Sequence, residues 1–181
     1  VRDRDGGTFS LYTTDEADYT FVNELTGDGR LVLTLGEEMD SFMFDPSTVI
    51  GSNPFTGTAA MARGQFIFDA TDKAGTGVLA GGTLELNKTG TEVGSALLDD
   101  DYFIGGLAME GGTLRVDTNG NGSPKGILTV EDLDVDGGGT VAMHIPDSIQ
   151  ASQAIGTLFD DNHTPEAYQI QVVSATNTPP Q

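Results

Sequence analysis

A short pattern of alternating hydrophobic and polar positions recurs along the chain, each time directly after glycine. In the phrase GGTLRV, which ends at Val116, the hydrophobic residues Leu114 and Val116 alternate with polar ones. This period of two is typical of a β-strand that buries one face, and a leading glycine favours a tight bend before it. The near-copies GGTFSL, GGTLEL and GGTVAM stand at residues 6–11, 81–86 and 138–143.

The spacing of the phrases favours a stacked, repetitive architecture. A looser form of the pattern follows Gly29, Gly64 and Gly126. The opening glycines Gly7 and Gly139 are 132 residues apart, which equals six coils of 22 residues. Solenoid repeats of about 20 or more residues bury their apolar face only against a neighbouring repeat. We therefore predict an all-β fold, a β-solenoid of about six or more coils, with a β-sandwich as the alternative.

Composition narrows the possible functions. The chain has 181 residues, 37% of them hydrophobic, which suits one domain with a core, and it contains no cysteine for a disulfide or a cysteine metal site. Its 28 acidic and 8 basic residues give a net charge of −20. Such a surface repels nucleic acid and anionic lipid, so we expect neither nucleic-acid binding nor direct membrane insertion.

One turn has part of a calcium-binding pattern. Asp117, Asn119 and Asn121 place oxygen-bearing side chains at alternate positions, as in the first half of a calcium loop. The twelfth position of such a loop should be glutamate and is Leu128 here. A polar turn between strands is the favoured interpretation, and calcium is the alternative.

The remaining candidates for catalysis are weak. Two acidic runs could bind cations or act as paired carboxylates, but neighbours on one strand do not set a fixed separation across a cleft. His144 and His163 have no nucleophile motif nearby, and Arg115 is the one basic residue on a repeat strand near the acids. We predict a protein that is not an enzyme and has no catalytic residues and no cofactor. The two runs are Asp99, Asp100 and Asp101, and Glu131, Asp132, Asp134 and Asp136.

The residues predicted to matter most are those of a folding core. They occupy alternate, inward positions of the repeated strands in the second half of the chain. They are Leu84, Leu86, Leu107, Met109, Leu114, Val116, Leu128, Val130, Leu133, Val135, Val141 and Met143.

Five phrases in a fixed order connect the chain to a known family. They are FTG at 55–57, GQFIF at 64–68, AGTGVLAGGTLELN at 74–87, IGGLAMEGGTLRVD at 104–117 and GILTVEDLDVDGGGTVAMHIP at 126–146. Their order and density resemble the C-terminal part of a bacterial autotransporter passenger domain of the adhesin type. The resemblance covers about residues 55–175.

The resemblance implies a right-handed parallel β-helix on the surface of a Gram-negative bacterium, exported by type V secretion through the periplasm and outer membrane. It implies an outer-membrane β-barrel in the same chain, which is absent from these residues. It also implies a receptor on a host-cell or bacterial surface, but the resemblance does not identify that receptor. In this family the last coils form an autochaperone, which folds first. We therefore expect passenger-stem coils at 1–106, an autochaperone-like segment with a β-hairpin-like C-terminal cap at 107–175, and a tail at 176–181.

The resulting prediction is a non-catalytic stem of a surface-displayed adhesin or virulence factor. Its C-terminal coils would nucleate folding and support secretion, because coils that contact only their neighbours can fold by propagation from one end. No signal peptide opens the sequence, and its first residue is Val1, so we expect a fragment of a longer protein. The alternative is a β-helical polysaccharide lyase or a tailspike-like carbohydrate-binding fibre.

Overall fold

The computed structural model describes residues 6–14, 18–45, 55–119, 123–144 and 173–175. It is nearly all β, with 59% strand and 3% helix, and its parallel stacked coils form a β-solenoid of about five turns. The predicted fold class is therefore confirmed. The elements are β1 (Thr8–Tyr12), β2 (Tyr19–Phe21), β3 (Arg30–Thr34), β4 (Ser41–Phe44), β5 (Thr58–Ile67), α1 (Ala70–Lys73), β6 (Thr83–Thr89), β7 (Glu92–Leu98), β8 (Tyr102–Glu110), β9 (Thr113–Asp117), β10 (Leu128–Asp134), β11 (Thr140–His144) and β12 (Val173–Ala175).

Two parallel sheets run along the solenoid. Sheet I contains β1, β3, the first part of β5, β6, β8, β10 and β12, and sheet II contains β2, β4, the last part of β5, β7, β9 and β11. The register in sheet I measures the coils directly. Thr8 lies opposite Arg30, Arg30 opposite Thr58, Thr58 opposite Thr83, and Thr83 opposite Gly106. Successive coils are therefore 22, 28, 25 and 23 residues long, and loops of different length absorb the variation.

Strand β5 belongs to both sheets because it bends at Gly64. Its first residues, from Thr58, pair with β3 and β6 in sheet I, and Gly64 to Ile67 pair with β7 in sheet II. Gly64 has a φ of 110°, a conformation that a residue with a side chain rarely adopts. The glycine thus turns one continuous strand around a corner of the coil.

The repeated glycine phrase occurs in both sheets. GGTFSL and GGTLEL lead into β1 and β6 of sheet I, whereas GGTLRV and GGTVAM lead into β9 and β11 of sheet II. Counting the 132 residues from Gly7 to Gly139 as whole coils is therefore wrong, because these two glycines precede strands of different sheets. The same local requirement, a glycine bend followed by a half-buried strand, arises at two corners of each coil.

At the first corner, stacked glycines link each coil to the next. The carbonyl oxygen of Gly7 accepts a hydrogen bond from the backbone N–H of Arg30 at 2.9 Å, and Gly29, Gly57 and Gly82 accept equivalent bonds at 2.9–3.0 Å from the next strand of sheet I. A Cβ atom added to Gly57 would lie 1.9 Å from the oxygen of Gly29. The coils therefore approach more closely here than any side chain would permit.

A second corner of the same kind precedes the strands of sheet II. Gly94 lies opposite Gly64, and a Cβ atom at Gly94 would be 1.7 Å from the carbonyl oxygen of Met61. A Cβ atom at Gly112 would come within 2.7 Å of the oxygen of Gly94. We call the two sets the glycine corners: Gly7, Gly29, Gly57 and Gly82 in the first, and Gly64, Gly94, Gly112 and Gly139 in the second.

The interior of the solenoid changes character along its axis. Around β2, β4 and β5 it is aromatic, with neighbouring ring centroids 4.7–6.3 Å apart from Tyr19 to Tyr102. Around β6 to β10 it is aliphatic apart from Tyr102, the first residue of β8. Offset and edge-on ring pairs add roughly 0.5–1.5 kcal/mol each beyond burial. The aromatic ladder consists of Tyr19, Phe21, Phe42, Phe44, Phe66, Phe68 and Tyr102.

The expected boundary between stem and autochaperone-like segment, at residues 106 and 107, lies inside β8. This strand pairs with β6 on one side and β10 on the other. Of the residues expected to form a C-terminal cap, the structure describes β12, which continues sheet I in parallel with β10. The rest of that cap and the tail at 176–181 lie outside the described residues. Among the described residues, no helix is long and apolar enough to cross a membrane.

The glycine corners predict that one methyl group can separate two coils. We expect Gly94→Ala to lower the free energy of unfolding by at least about 2 kcal/mol, because the new Cβ would overlap the backbone of Met61. The exposed Gly81 is the matched control, since a Cβ atom there has its nearest neighbour at 3.6 Å. Urea denaturation should show a change below about 0.5 kcal/mol for Gly81→Ala; equal losses in both variants would contradict the account.

Candidate functional site

The predicted calcium turn is closed by its own contacts. Asp117 ends β9, and its carboxylate accepts a hydrogen bond from Lys125 Nζ at 2.8 Å and lies 3.2 Å from His144 Nδ1. The hydrogen bond from Lys125, with a smaller contribution from His144, lowers the pKa of Asp117. A calcium ion would have to compete with both partners for this carboxylate.

The other members of the calcium pattern do not converge on Asp117. The side-chain amide of Asn119 donates to the carbonyl oxygen of Pro124 at 3.3 Å, and its backbone N–H donates to Ser123 at 2.7 Å. Leu128, which replaces the expected glutamate, is fully buried. Asn121 lies outside the described residues. Within the described ranges, no three or more His, Asp or Glu side chains are grouped to hold a metal ion.

The first acidic run holds together the turn that precedes β8. Asp99 accepts a hydrogen bond from the Tyr102 hydroxyl at 2.5 Å, Asp100 pairs with Lys73 Nζ at 2.5 Å, and Asp101 accepts from the backbone N–H of Ile127 at 2.8 Å. Each carboxylate therefore faces a different partner. The run stabilises the contact between α1, β8 and the segment leading into β10.

The second acidic run lies on the solvent-exposed surface. Glu131, Asp132, Asp134 and Asp136 are all exposed, and Asp134 accepts a hydrogen bond from the backbone N–H of Asp136 at 2.9 Å. The second run therefore forms a solvated face of the solenoid. His163, the other histidine considered for catalysis, lies outside the described residues.

The predicted folding core divides into a buried and an exposed group. Leu84, Leu86, Leu107, Met109, Leu114, Val116, Leu128 and Val130 are buried, and Met143 is partly buried against them. In contrast, Leu133, Val135 and Val141 are 40%, 55% and 52% exposed, so their assignment to the core is wrong. They belong to the last part of β10, the turn after it and β11, where no further described strand covers the end of the coil.

Sequence reasoning missed a pair of buried carboxylates around α1. Asp69 caps this short helix: its carboxylate accepts from the backbone N–H of Thr71 at 2.5 Å and of Asp72 at 3.3 Å. Asp72 returns the contact by accepting from the backbone N–H of Asp69 at 3.0 Å, which completes a capping box. The spacing of the two aspartates, three residues apart, is the one signal in the sequence that indicated this cap.

Burial dominates the electrostatics of Asp72. The residue is 5% exposed, and the cost of removing its carboxylate from water raises its pKa to about 7, although the hydrogen bond from Asp69 opposes the shift. The negative charge of Asp69 raises it further. At neutral pH the buried carboxyl group of Asp72 is therefore close to the midpoint of its titration, and its surroundings disfavour the charged form.

The sequence also did not predict an ion pair that spans three strands of sheet I. Arg30 on β3 donates two hydrogen bonds to Glu85 on β6, from Nη1 to Oε2 at 2.6 Å and from Nη2 to Oε1, across the intervening strand β5. Mainly through this contact, the pKa of Glu85 falls and that of Arg30 rises. Two-pronged pairing of this kind fixes the relative position of the strands it bridges.

The outer face of sheet II carries a groove with an unusual arginine. The groove measures about 420 Å³ and lies between the loop before β4 and strand β11. Arg115 stands in its floor between Leu97 and Ala142, its register neighbours on β7 and β11. Its buried Nε atom has no hydrogen-bond partner, and none of the salt bridges among the described residues includes it. The lining residues are Met39, Gln65, Leu97, Arg115, Asp117, Ala142, Met143 and His144.

Comparisons with protein-family models, with curated proteins and with solved structures found no match.

The division of the folding core predicts unequal effects of two neighbouring substitutions. Leu114 is buried on β9 and lies opposite the half-exposed Val141 on β11. We expect Leu114→Ala to lower the free energy of unfolding by about 3 kcal/mol and Val141→Ala by less than about 1 kcal/mol. Urea denaturation measures both, and a loss at Val141 as large as that at Leu114 would restore Val141 to the core.

The raised pKa of Asp72 predicts a pH-dependent stability. Folding raises the pKa of Asp72 from the ordinary value of 3.8 to about 7, so the folded state favours the protonated carboxyl group. The stability that this preference contributes is fully present below about pH 4 and is lost as the pH rises through 7. The substitution Asp72→Asn removes the charge and keeps the oxygen that accepts from Asp69. We expect it to stabilise the protein by about 2–4 kcal/mol at pH 8 and by little at pH 4.

The control for this prediction is Asp132→Asn on the exposed acidic run, which removes one negative charge without burial. Denaturation of both variants at pH 4 and pH 8 separates local burial from relief of the net charge. An equal gain in both variants at pH 8 would assign the effect to overall charge repulsion.

Proposed function

We propose that the chain is a non-catalytic structural stem, part of an autotransporter passenger domain displayed on the surface of a Gram-negative bacterium. The observation that supports this most strongly is the coil-to-coil bonding of the fold. Both sheets run parallel along the solenoid, so backbone hydrogen bonds connect each turn to its neighbours and the rod can be extended by adding turns. A stem that carries an effector region away from the membrane needs this property.

The proposed folding role belongs to the coils built from β8 to β11. Leu107, Met109, Leu114 and Val116 are buried against the coil before them, and burying each such side chain contributes roughly 1.5–3 kcal/mol before ordering entropy is subtracted. A coil that has folded outside the cell would present its edge to the next coil. Each addition would then oppose backward movement and support secretion without ATP.

The charge of the chain fits the proposed location. With a net charge of −20, the rod resists self-association and repels anionic surfaces. In this proposal the partners are an outer-membrane β-barrel in the same polypeptide and a host-cell or bacterial surface receptor. Neither nucleic-acid binding nor membrane insertion of the rod is part of the proposal.

The first test uses the complete protein that contains this chain, expressed with an epitope ahead of the rod. We expect Leu114→Asp to reduce the surface-exposed epitope at least fivefold, because a charge at this buried position prevents the nucleating coil from packing. Val141→Asp is the matched control on the next strand, where the side chain is half exposed. Flow cytometry of intact cells gives the measurement.

Equal display of the two variants and the parent protein would contradict the folding role. The reading frame around this chain offers an independent check of the passenger assignment. An upstream export signal and a downstream segment of amphipathic strands of about ten residues each are expected. A frame without them would favour the lyase or tailspike-like alternative.

A further inference from the structure

The groove on the outer face of sheet II combines three donors with an apolar wall. Arg115, Gln65 and His144 line it together with Met39, Leu97 and the acidic residue Asp117. Its volume of about 420 Å³ lies within the usual range for small-molecule sites, roughly 300–1,000 Å³. Neither the stem role nor the folding role uses these side chains.

The feature of the groove that indicates a ligand is an arginine without an acidic partner. The protein has a net charge of −20, and the other arginines that the structure describes, Arg30 and Arg63, are paired with Glu85 and Glu37. Arg115 is not, although Asp117 stands two residues away on the same strand. Asp117 is occupied by Lys125 and His144 instead. The guanidinium is therefore left able to bind an acidic group from outside the chain.

We infer that this groove binds a single sugar unit that carries one carboxylate, such as the terminal acidic sugar of an otherwise neutral glycan. A guanidinium matches a carboxylate through two parallel hydrogen bonds. Gln65 and His144 can hydrogen-bond sugar hydroxyls, and the C–H face of the ring can pack on Met39 and Leu97. The strongly acidic surface repels polyanions, so one isolated negative charge is favoured over a polyuronate or a sulfated chain.

The test is an NMR titration of the folded, ¹⁵N-labelled chain with methyl β-glucuronide. Methyl β-glucoside is the neutral probe of nearly the same shape, and acetate is the carboxylate without a sugar. We expect saturable shifts of backbone amides in β9 and β11 with the glucuronide, and at least tenfold weaker binding of the other two compounds. Equal binding of glucoside would exclude recognition of the carboxylate, and equal binding of acetate would exclude recognition of the sugar.

Variants locate the site. We expect Arg115→Gln to weaken glucuronide binding at least tenfold. Arg115→Lys keeps the positive charge but lacks the guanidinium that makes two parallel hydrogen bonds, and we expect it to weaken binding at least threefold. Arg63→Gln is the matched control because it removes one positive charge from the neighbouring surface, where Arg63 pairs with Glu37. It should change affinity less than twofold.

A second variant tests the site independently, in case a substitution at Arg115 disturbs the fold. The side chain of His144 is 71% exposed, so His144→Ala leaves the interior intact, and we expect it to weaken binding at least twofold. Unchanged affinity in both Arg115→Gln and His144→Ala, or the absence of any shift in the parent chain at high millimolar glucuronide, would overturn the inference. The titration uses the isolated chain, so its outcome is independent of surface display.

Discussion

The close approach of successive coils at the glycine corners is the constraint on which the rest of the structure depends. Strands of a parallel sheet must come within about 4.8 Å of each other, and here the chain must also turn a corner at that distance. At Gly57 and Gly94 the neighbouring backbone occupies the space of a Cβ atom. Once the corners stack, the backbone hydrogen bonds of both sheets align and the alternating side chains meet inside the coil.

The interior and the surface then reinforce the same register. Inside, the ladder of rings from Tyr19 to Tyr102 gives way to aliphatic side chains around β6 to β10. Outside, the Arg30–Glu85 pair bridges three strands of sheet I. Because these contacts join neighbouring turns, stability should accumulate turn by turn along the axis. The same property makes the fold suitable as an extensible stem.

The sequence was sufficient to predict local features such as half-buried strands. Features that depend on packing between distant parts of the chain could not be predicted from it. Alternation at Leu114 and Val116 correctly indicated half-buried strands, since a period of two reflects the backbone itself. The same alternation at Val141 could not show that no described strand covers it. Nor could the glycine phrase distinguish two corners that impose the same requirement. The raised pKa of Asp72 and the unpaired guanidinium of Arg115 arise from tertiary packing, so residue type and spacing alone did not identify them.

Hydrogen exchange of the folded chain, followed by mass spectrometry, tests most directly whether the turns stabilise one another through their neighbours. The account predicts graded protection along the axis: slowest exchange in β6 and β8, which have described partners on both sides, and faster exchange in β1 and β11. Uniform protection of all these strands, or slowest exchange in β1 or β11, would contradict it.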